Sequence, residues 1–288
     1  MRMLRCILGS VLLAMVTHAV AYAGSETVLA KARDIEQRLS ARVGIAIFES
    51  RTDRRWLYNA HQRFPMASTF KVLACGALLH QVDIGAVNLD QLEAIEASDL
   101  VEYSPVLEKF VGRTISLRDL CAATLATSDN AAANKILGVL GGPDGLTKFM
   151  RSIEDDTTRL DRLEPALNEA APGDPRDTSS PLAMTTALQK LVLGDLLSPS
   201  SREILTAWLE NCEVSGLLLR AGIPSDWRIA DRTGSGGHGT RAIVAVMWPP
   251  GRAPLIAAIY LTETNASVDA RNHAIAELGK ALAMDVLN

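Results

Sequence analysis

The chain has 288 residues, a formal net charge of −4 and no run of Lys and Arg, so no nucleic-acid partner is expected. Five Phe, four Tyr and four Trp are too few to build a stacking platform for single strands. The length allows one large domain or two intimate ones.

Arg2 and Arg5 precede an apolar run, Cys6 to Val16, and Ala21-Tyr22-Ala23 then supplies small residues at the positions a signal peptidase reads. This order predicts a secretory signal peptide over residues 1–23 and export across the inner membrane, to the periplasm. No later stretch has eighteen unbroken apolar residues, so no membrane attachment is expected after cleavage. Cys75, Cys121 and Cys212 then remain, enough for one bridge and one single thiol in an oxidising compartment. Spacing alone does not choose the pair. Cys212 reads as a small buried hydrophobe.

Val43 to Phe48 and Arg55-Trp56-Leu57-Tyr58 read as a hairpin. Trp227 to Ala230, Arg241 to Trp248 and Leu255 to Leu261 are three further predicted strands, with Pro249-Pro250-Gly251 turning between the last two. From Thr69 to about Leu209 the period is helical, clearest over Leu117 to Leu125, Ala131 to Leu140 and Met184 to Leu193, with hardly a strand signal. Val28 to Leu39 and His273 to Leu287 read as amphipathic helices that cover a sheet. The expected fold class is therefore α/β: an antiparallel sheet built from both ends of the chain and flanked by helices, plus an all-helical insert. The expected boundaries are 24–64 with 210–288 for the α/β part and 65–209 for the helical part. A cleft is expected where the halves meet. Asp155 to Pro175 is polar, irregular and long, a combination that favours function.

Four short motifs carry chemistry. Ser68-Thr69-Phe70-Lys71 puts a lysine one helical turn from a serine, a base beside a hydroxyl that is a poor nucleophile without one. Alone it is weak, since about 0.7 such pairs are expected by chance. Ser128-Asp129-Asn130 offers a hydroxyl to pass a proton and an amide to orient a carbonyl, and it is also ideal helix-capping composition. Glu164-Pro165 with Asn168 sets a carboxylate and a carboxamide four apart, able to hold one water between them if the segment turns helical. Arg232-Thr233-Gly234, then Ser235-Gly236-Gly237, gives a cation, hydroxyls and exposed backbone suited to an anion.

In this order the four resemble the active-site set of class A serine β-lactamases and penicillin-binding proteins, and the Glu164-Pro165-x-x-Asn168 element resembles class A in particular. The resemblance implies the serine β-lactamase/DD-peptidase fold and hydrolysis of the β-lactam ring through a serine ester. It implies Ser68 as the acylated nucleophile, Lys71 as a base and relay, and Ser128 as the proton shuttle to the leaving nitrogen. Glu164 activates the deacylating water and Asn168 holds it; whether Lys71 or Glu164 deprotonates Ser68 stays open. Asn130 orients the substrate, backbone N–H groups of Ser68 and Ser235 form the oxyanion hole, and Arg232, Thr233, Ser235 and Arg241 receive the substrate carboxylate. Tyr103 is similar to the family's aromatic cleft wall. Cys75 and Cys121 resemble its disulfide pair. No cofactor is implied, and no interface stripe argues against a monomer.

One departure is Arg232, where the family usually has lysine. R-T-G resembles the carbenicillin-hydrolysing subgroup, and a fork of donors suits the second carboxylate of carbenicillin. Ala67 and Gly236 lack the cysteines of one carbapenem-hydrolysing branch. A D-alanyl-D-alanine peptidase should lack Glu164 and Asn168 in these roles. A β-lactam sensor should sit beside a membrane segment. His61, His80, His238 and His273 show no close pairing for zinc.

Overall fold

The computed structural model describes residues 26–287, so the expected signal peptide lies outside the described residues. Helix α1 (Glu26–Leu39) leads into the hairpin β1 (Arg42–Glu49) and β2 (Arg55–Tyr58). The two-residue β3 (Phe64–Pro65) precedes a 3-10 turn, Ala67–Thr69, that runs directly into α2 (Phe70–Asp83). The middle continues with β4 (Leu92–Ala94), β5 (Thr114–Ser116), α3 (Leu117–Ala126), α4 (Asn130–Val139) and α5 (Gly142–Ser152). After β6 (Thr178–Ser179) come α6 (Pro181–Val192), α7 (Pro199–Glu210) and the short α8 (Leu219–Gly222). The chain ends with β7 (Arg228–Ser235), β8 (Arg241–Trp248), β9 (Leu255–Thr262) and α9 (Val268–Leu287).

The long strands form one antiparallel sheet in the order β2-β1-β9-β8-β7, made from both ends of the chain. Side chains alternate between two cores. Ala46, Phe48, Ala230, Val244, Ala258 and Tyr260 face the helical side, while Ile45, Ile47, Ile229, Ala245, Ala257 and Ile259 pack under α1, α8 and α9. With both faces covered, β9 is buried along its whole length and reads as a continuous apolar run. Each large aliphatic side chain so buried contributes roughly 1.5–3 kcal/mol.

Helix starts follow the local sequence. Ser116, Asp129, Ser180 and Ser198 accept hydrogen bonds from the backbone N–H three residues on, and proline follows the last two caps. Helix α2 differs, being buried without a break from Phe70 to Leu79, which makes it a central helix with no polar face. That burial carries Lys71 into the interior. The Cys75–Cys121 disulfide joins α2 to α3.

Two expectations need correction. The middle contains two short antiparallel pairs, β3 with β6 and β4 with β5, of two and three residues a strand, too short to leave a period-2 signal. Strand β7 continues past Ala230 to Ser235, because its glycine-containing end still pairs with β8. Among the described residues no helix is long and apolar enough to cross a membrane.

Candidate active site

Ser68 lies in the 3-10 turn ahead of α2, and the residue before it, Ala67, adopts a left-handed φ of 42°. Tyr103 and Ser128, on other walls of the same cavity, are also left-handed, at φ 63° and 73°. Such backbone costs about 1–3 kcal/mol per residue and survives only where surrounding packing enforces it. For the Ala67–Ser68 turn that packing is β7. A Cβ on Gly234 would sit 2.8 Å from the Met66 carbonyl oxygen and 3.2 Å from the Ser68 nitrogen. Only glycine lets the edge strand come this close to the turn.

The polar groups form a chain. Ser128 Oγ donates to Ser68 Oγ at 3.1 Å. Lys71 Nζ donates to Ser128 Oγ at 3.2 Å, to the Ser128 carbonyl at 2.9 Å and to Asn130 Oδ1 at 2.6 Å. The link from Lys71 to Ser68 therefore runs through Ser128. Glu164 Oε1 lies 3.1 Å from Lys71 Nζ, and both side chains are fully buried. The contact is an ion pair between two groups shielded from solvent. The other oxygen, Oε2, accepts from Asn168 Nδ2 directly. The carboxylate and the carboxamide thus touch, where the sequence suggested a water between them. The four-residue spacing delivers this contact because Ala166–Asn168 is a 3-10 turn.

Burial pushes the Lys71 ammonium down to about 8 from an ordinary 10.5, against the pull of Glu164 and with a further push from Arg232. A lysine at that value is roughly a tenth neutral at pH 7, a usable supply of base.

Asn130 is committed on two sides. Its Nδ2 donates to the Glu102 carbonyl at 2.9 Å and its Oδ1 receives Lys71, leaving one amide hydrogen for the cavity. Asp129 caps α4 through Ala132 N and accepts from Val106 N and Leu107 N, so the middle residue of the tripeptide fixes the loop that bears Tyr103. Thr233, Ser235 and Arg241 line a cavity of about 280 Å³ with Ser68, Ser128, Asn130, Asn168 and Tyr103. An adjoining space of about 600 Å³ runs between Tyr103, Glu169 and Gly237. Arg241 Nε donates to Asn272 Oδ1 at 2.8 Å, and burial, then Arg271 and Arg232, push its guanidinium down to about 10. This crowding of cations favours an anion at the cavity wall. Arg232 is fully buried behind that wall and does not line it. Another groove, about 720 Å³ between α1, α8 and α9, contains no serine–lysine pair.

Several positioning residues escaped the sequence reading. Asn134 clamps Glu164, donating to its carbonyl and accepting from its N–H, both at 2.9 Å. Its signal was the spacing to Asn130, four residues on one helical face. Asp177 accepts from Asp161 N, Arg162 N and Arg162 Nε, closing the irregular loop on itself. Gly237 N donates to the Asn168 carbonyl at 2.8 Å and ties that loop to the β7–β8 turn. Among the described residues no group of three or more His, Cys, Asp or Glu side chains is arranged to hold a metal ion.

A serine–serine–lysine–carboxylate chain on the seam between an antiparallel sheet and a helical layer, with Lys71 and Glu164 buried, is the arrangement of a serine acyl-transfer enzyme. The model of the β-lactamase enzyme family matches residues 28–286. The β-lactamase PSE-4 of Pseudomonas aeruginosa is 48% identical over 248 residues, covering 86% of each chain. The β-lactamase AER-1 of Aeromonas hydrophila is 49% identical over 248 residues, covering 86% of this chain and 82% of its own. Among solved structures, an ancestral class A β-lactamase matches with a TM-score of 0.87 at 50% identity, over 88% of this chain and 98% of that one. A β-lactamase from Xanthomonas campestris matches with a TM-score of 0.89 at 43% identity, over 91% and 98%. The chain belongs to the β-lactamase enzyme family, with the class A serine β-lactamase fold.

Proposed function

We propose that the chain opens the β-lactam ring of penicillins through an ester on Ser68, and that carbenicillin is among its substrates. The observation that carries this reading is the unbroken polar chain from Ser68 through Ser128 and Lys71 to Glu164 and Asn168. Neutral Lys71 draws the Ser68 proton through Ser128 as the serine oxygen attacks the ring carbonyl. The resulting oxyanion is received by the backbone N–H groups of Ser68 and Ser235, where one donor is worth roughly 3–4 kcal/mol. Ser128 then returns the proton to the departing ring nitrogen. Glu164, whose Oε1 has no aligned donor, takes a proton from water that attacks the ester, with Asn168 holding that water. Arg241, Thr233 and Ser235 meet the substrate carboxylate, Arg232 supplies charge from behind them, Asn130 steadies the side-chain amide and Tyr103 covers the cleft.

Arg232, with the planar fork of a guanidinium in place of an ammonium, supports the carbenicillin assignment. Export to the periplasm as a monomer, and division into 24–64 with 210–288 and 65–209, complete the proposal. The two cores on either side of the sheet support the division.

The test is intact-mass spectrometry with benzylpenicillin. Wild-type protein turns over many equivalents without a lasting adduct, while Glu164→Ala accumulates one on Ser68. A persistent adduct on the unmodified protein sinks the hydrolase reading and favours a peptidase or sensor.

A further inference from the structure

Among the described residues Arg232 is the largest charged side chain that is fully buried, at 0% exposure, and two of its nitrogens, Nε and Nη2, have no hydrogen-bond partner. Alternation along β7 explains why. Ala230 faces the helical core and Ile229 the opposite one, so Arg232 points toward the helices while Asp231 points away. The neighbouring carboxylate is thus unavailable, and it is taken by Arg220 at 3.0 and 3.1 Å. Among the described residues the one side-chain hydrogen bond of the Arg232 guanidinium is donated by Nη1 to Cys212 Sγ, at 3.9 Å. Cys212 follows α7, is 7% exposed and forms no disulfide. Its neighbour but one, Val214, lines the Ser68 cavity.

We propose that Cys212 is the positioning residue for Arg232: its sulfur accepts from Nη1 and fixes the guanidinium behind the wall formed by Thr233, Ser235 and Arg241, from where its charge acts on the substrate carboxylate. The sequence offered only a small buried hydrophobe here. The structure adds an otherwise unpartnered buried cation aimed at the sulfur. A sulfur is a weak acceptor, which holds the guanidinium in place without neutralising it as a carboxylate would. The charge is left for the substrate. The inference rests on the reading that Arg232 acts on the substrate carboxylate, and the experiment separates the two.

The experiment compares benzylpenicillin with its methyl ester, which lacks the carboxylate, in Cys212→Ala, Cys212→Val, Cys212→Ser and Arg232→Met. Losing one hydrogen bond to a charged group raises KM for the acid by about tenfold in the Ala and Val variants. Their kcat for the acid, and both constants for the ester, are expected to stay within about twofold of wild type, below the worth of one such bond. The Ser variant, which keeps an acceptor, holds KM for the acid near the wild-type value. An unchanged KM for the acid in the Ala and Val variants overturns the inference, as does an equal rise for acid and ester or a Ser variant no better than Ala. If Arg232→Met leaves the preference for acid over ester intact, the carboxylate reading itself is wrong. If Arg232→Met abolishes that preference while the Cys212 variants keep it, only the role of Cys212 is lost.

Discussion

Lys71 Nζ and Glu164 Oε1 stand 3.1 Å apart with neither side chain exposed to solvent. A buried pair of this kind is poor evidence for stability, because desolvation offsets most of the attraction. Its value is chemical. Burial outweighs the carboxylate and leaves Lys71 at about 8, able to exchange a proton near neutral pH.

The pH dependence of acylation follows. With neutral Lys71 proposed as the base, single-turnover acylation by benzylpenicillin is expected to rise about tenfold per pH unit below about 8 and to level above it. Glu164 raises the lysine pKa, so Glu164→Gln lowers it further, and the plateau in that variant begins at lower pH. Stopped-flow acylation traces across pH 5 to 10 check this. A collapse of the acylation rate in Glu164→Gln, with no shifted plateau, assigns the base to Glu164 instead.

Arg232→Lys exchanges a planar fork for a point charge at a fully buried site. The expected result is a fall of about tenfold in carbenicillin turnover relative to benzylpenicillin, the worth of one charge-assisted hydrogen bond. Steady-state kinetics on both penicillins decide it, and an unchanged ratio removes Arg232 as the source of any carbenicillin preference.

Gly234→Ala forces a Cβ to within 2.8 Å of the Met66 carbonyl. Overpacking of this kind costs about 1–3 kcal/mol, and the displaced backbone is that of the nucleophile turn. Activity should fall by more than tenfold while the protein still folds with a lowered melting temperature. Calorimetry with kinetics on one preparation tests both halves, and full activity would show that the close approach is unnecessary.

Breaking the Cys75–Cys121 bridge opens a 46-residue separation between α2 and α3. The chain-entropy model assigns such a loop about 4 kcal/mol, and for a protein of this size that lowers the melting temperature by roughly 10 °C. Cys121→Ser and Cys75→Ser should lose similar amounts, with the kinetic constants at 20 °C little changed. A melting curve unaffected by reductant would argue that the bridge contributes nothing.

The residue sequence by itself determined the chemistry and the outline of the fold. Ser68, Lys71, Ser128, Glu164 and Asn168 could be singled out because their motifs resemble those of class A serine β-lactamases, and the fold gathers them into one polar chain. The strands and helices are legible because burial on one face or two leaves a period. The disulfide pairing was readable only through resemblance, since three cysteines at these spacings permit any pair.

Tertiary structure decided what spacing does not encode. It routed Lys71 to Ser68 through Ser128, set Asn168 directly on Glu164, and recruited Asn134 and Asp177 to hold the loop. It also sent Arg232 inward to Cys212 and left Arg241 on the cavity wall. The inward turn of Arg232 depends on the alternation of β7 between two cores, and the cavity wall depends on the approach of β7 to the Ser68 turn. Some of these contacts join neighbours in sequence and one, Gly234 against the Ser68 turn, joins segments more than a hundred residues apart, but no local pattern records the direction in which a buried side chain points.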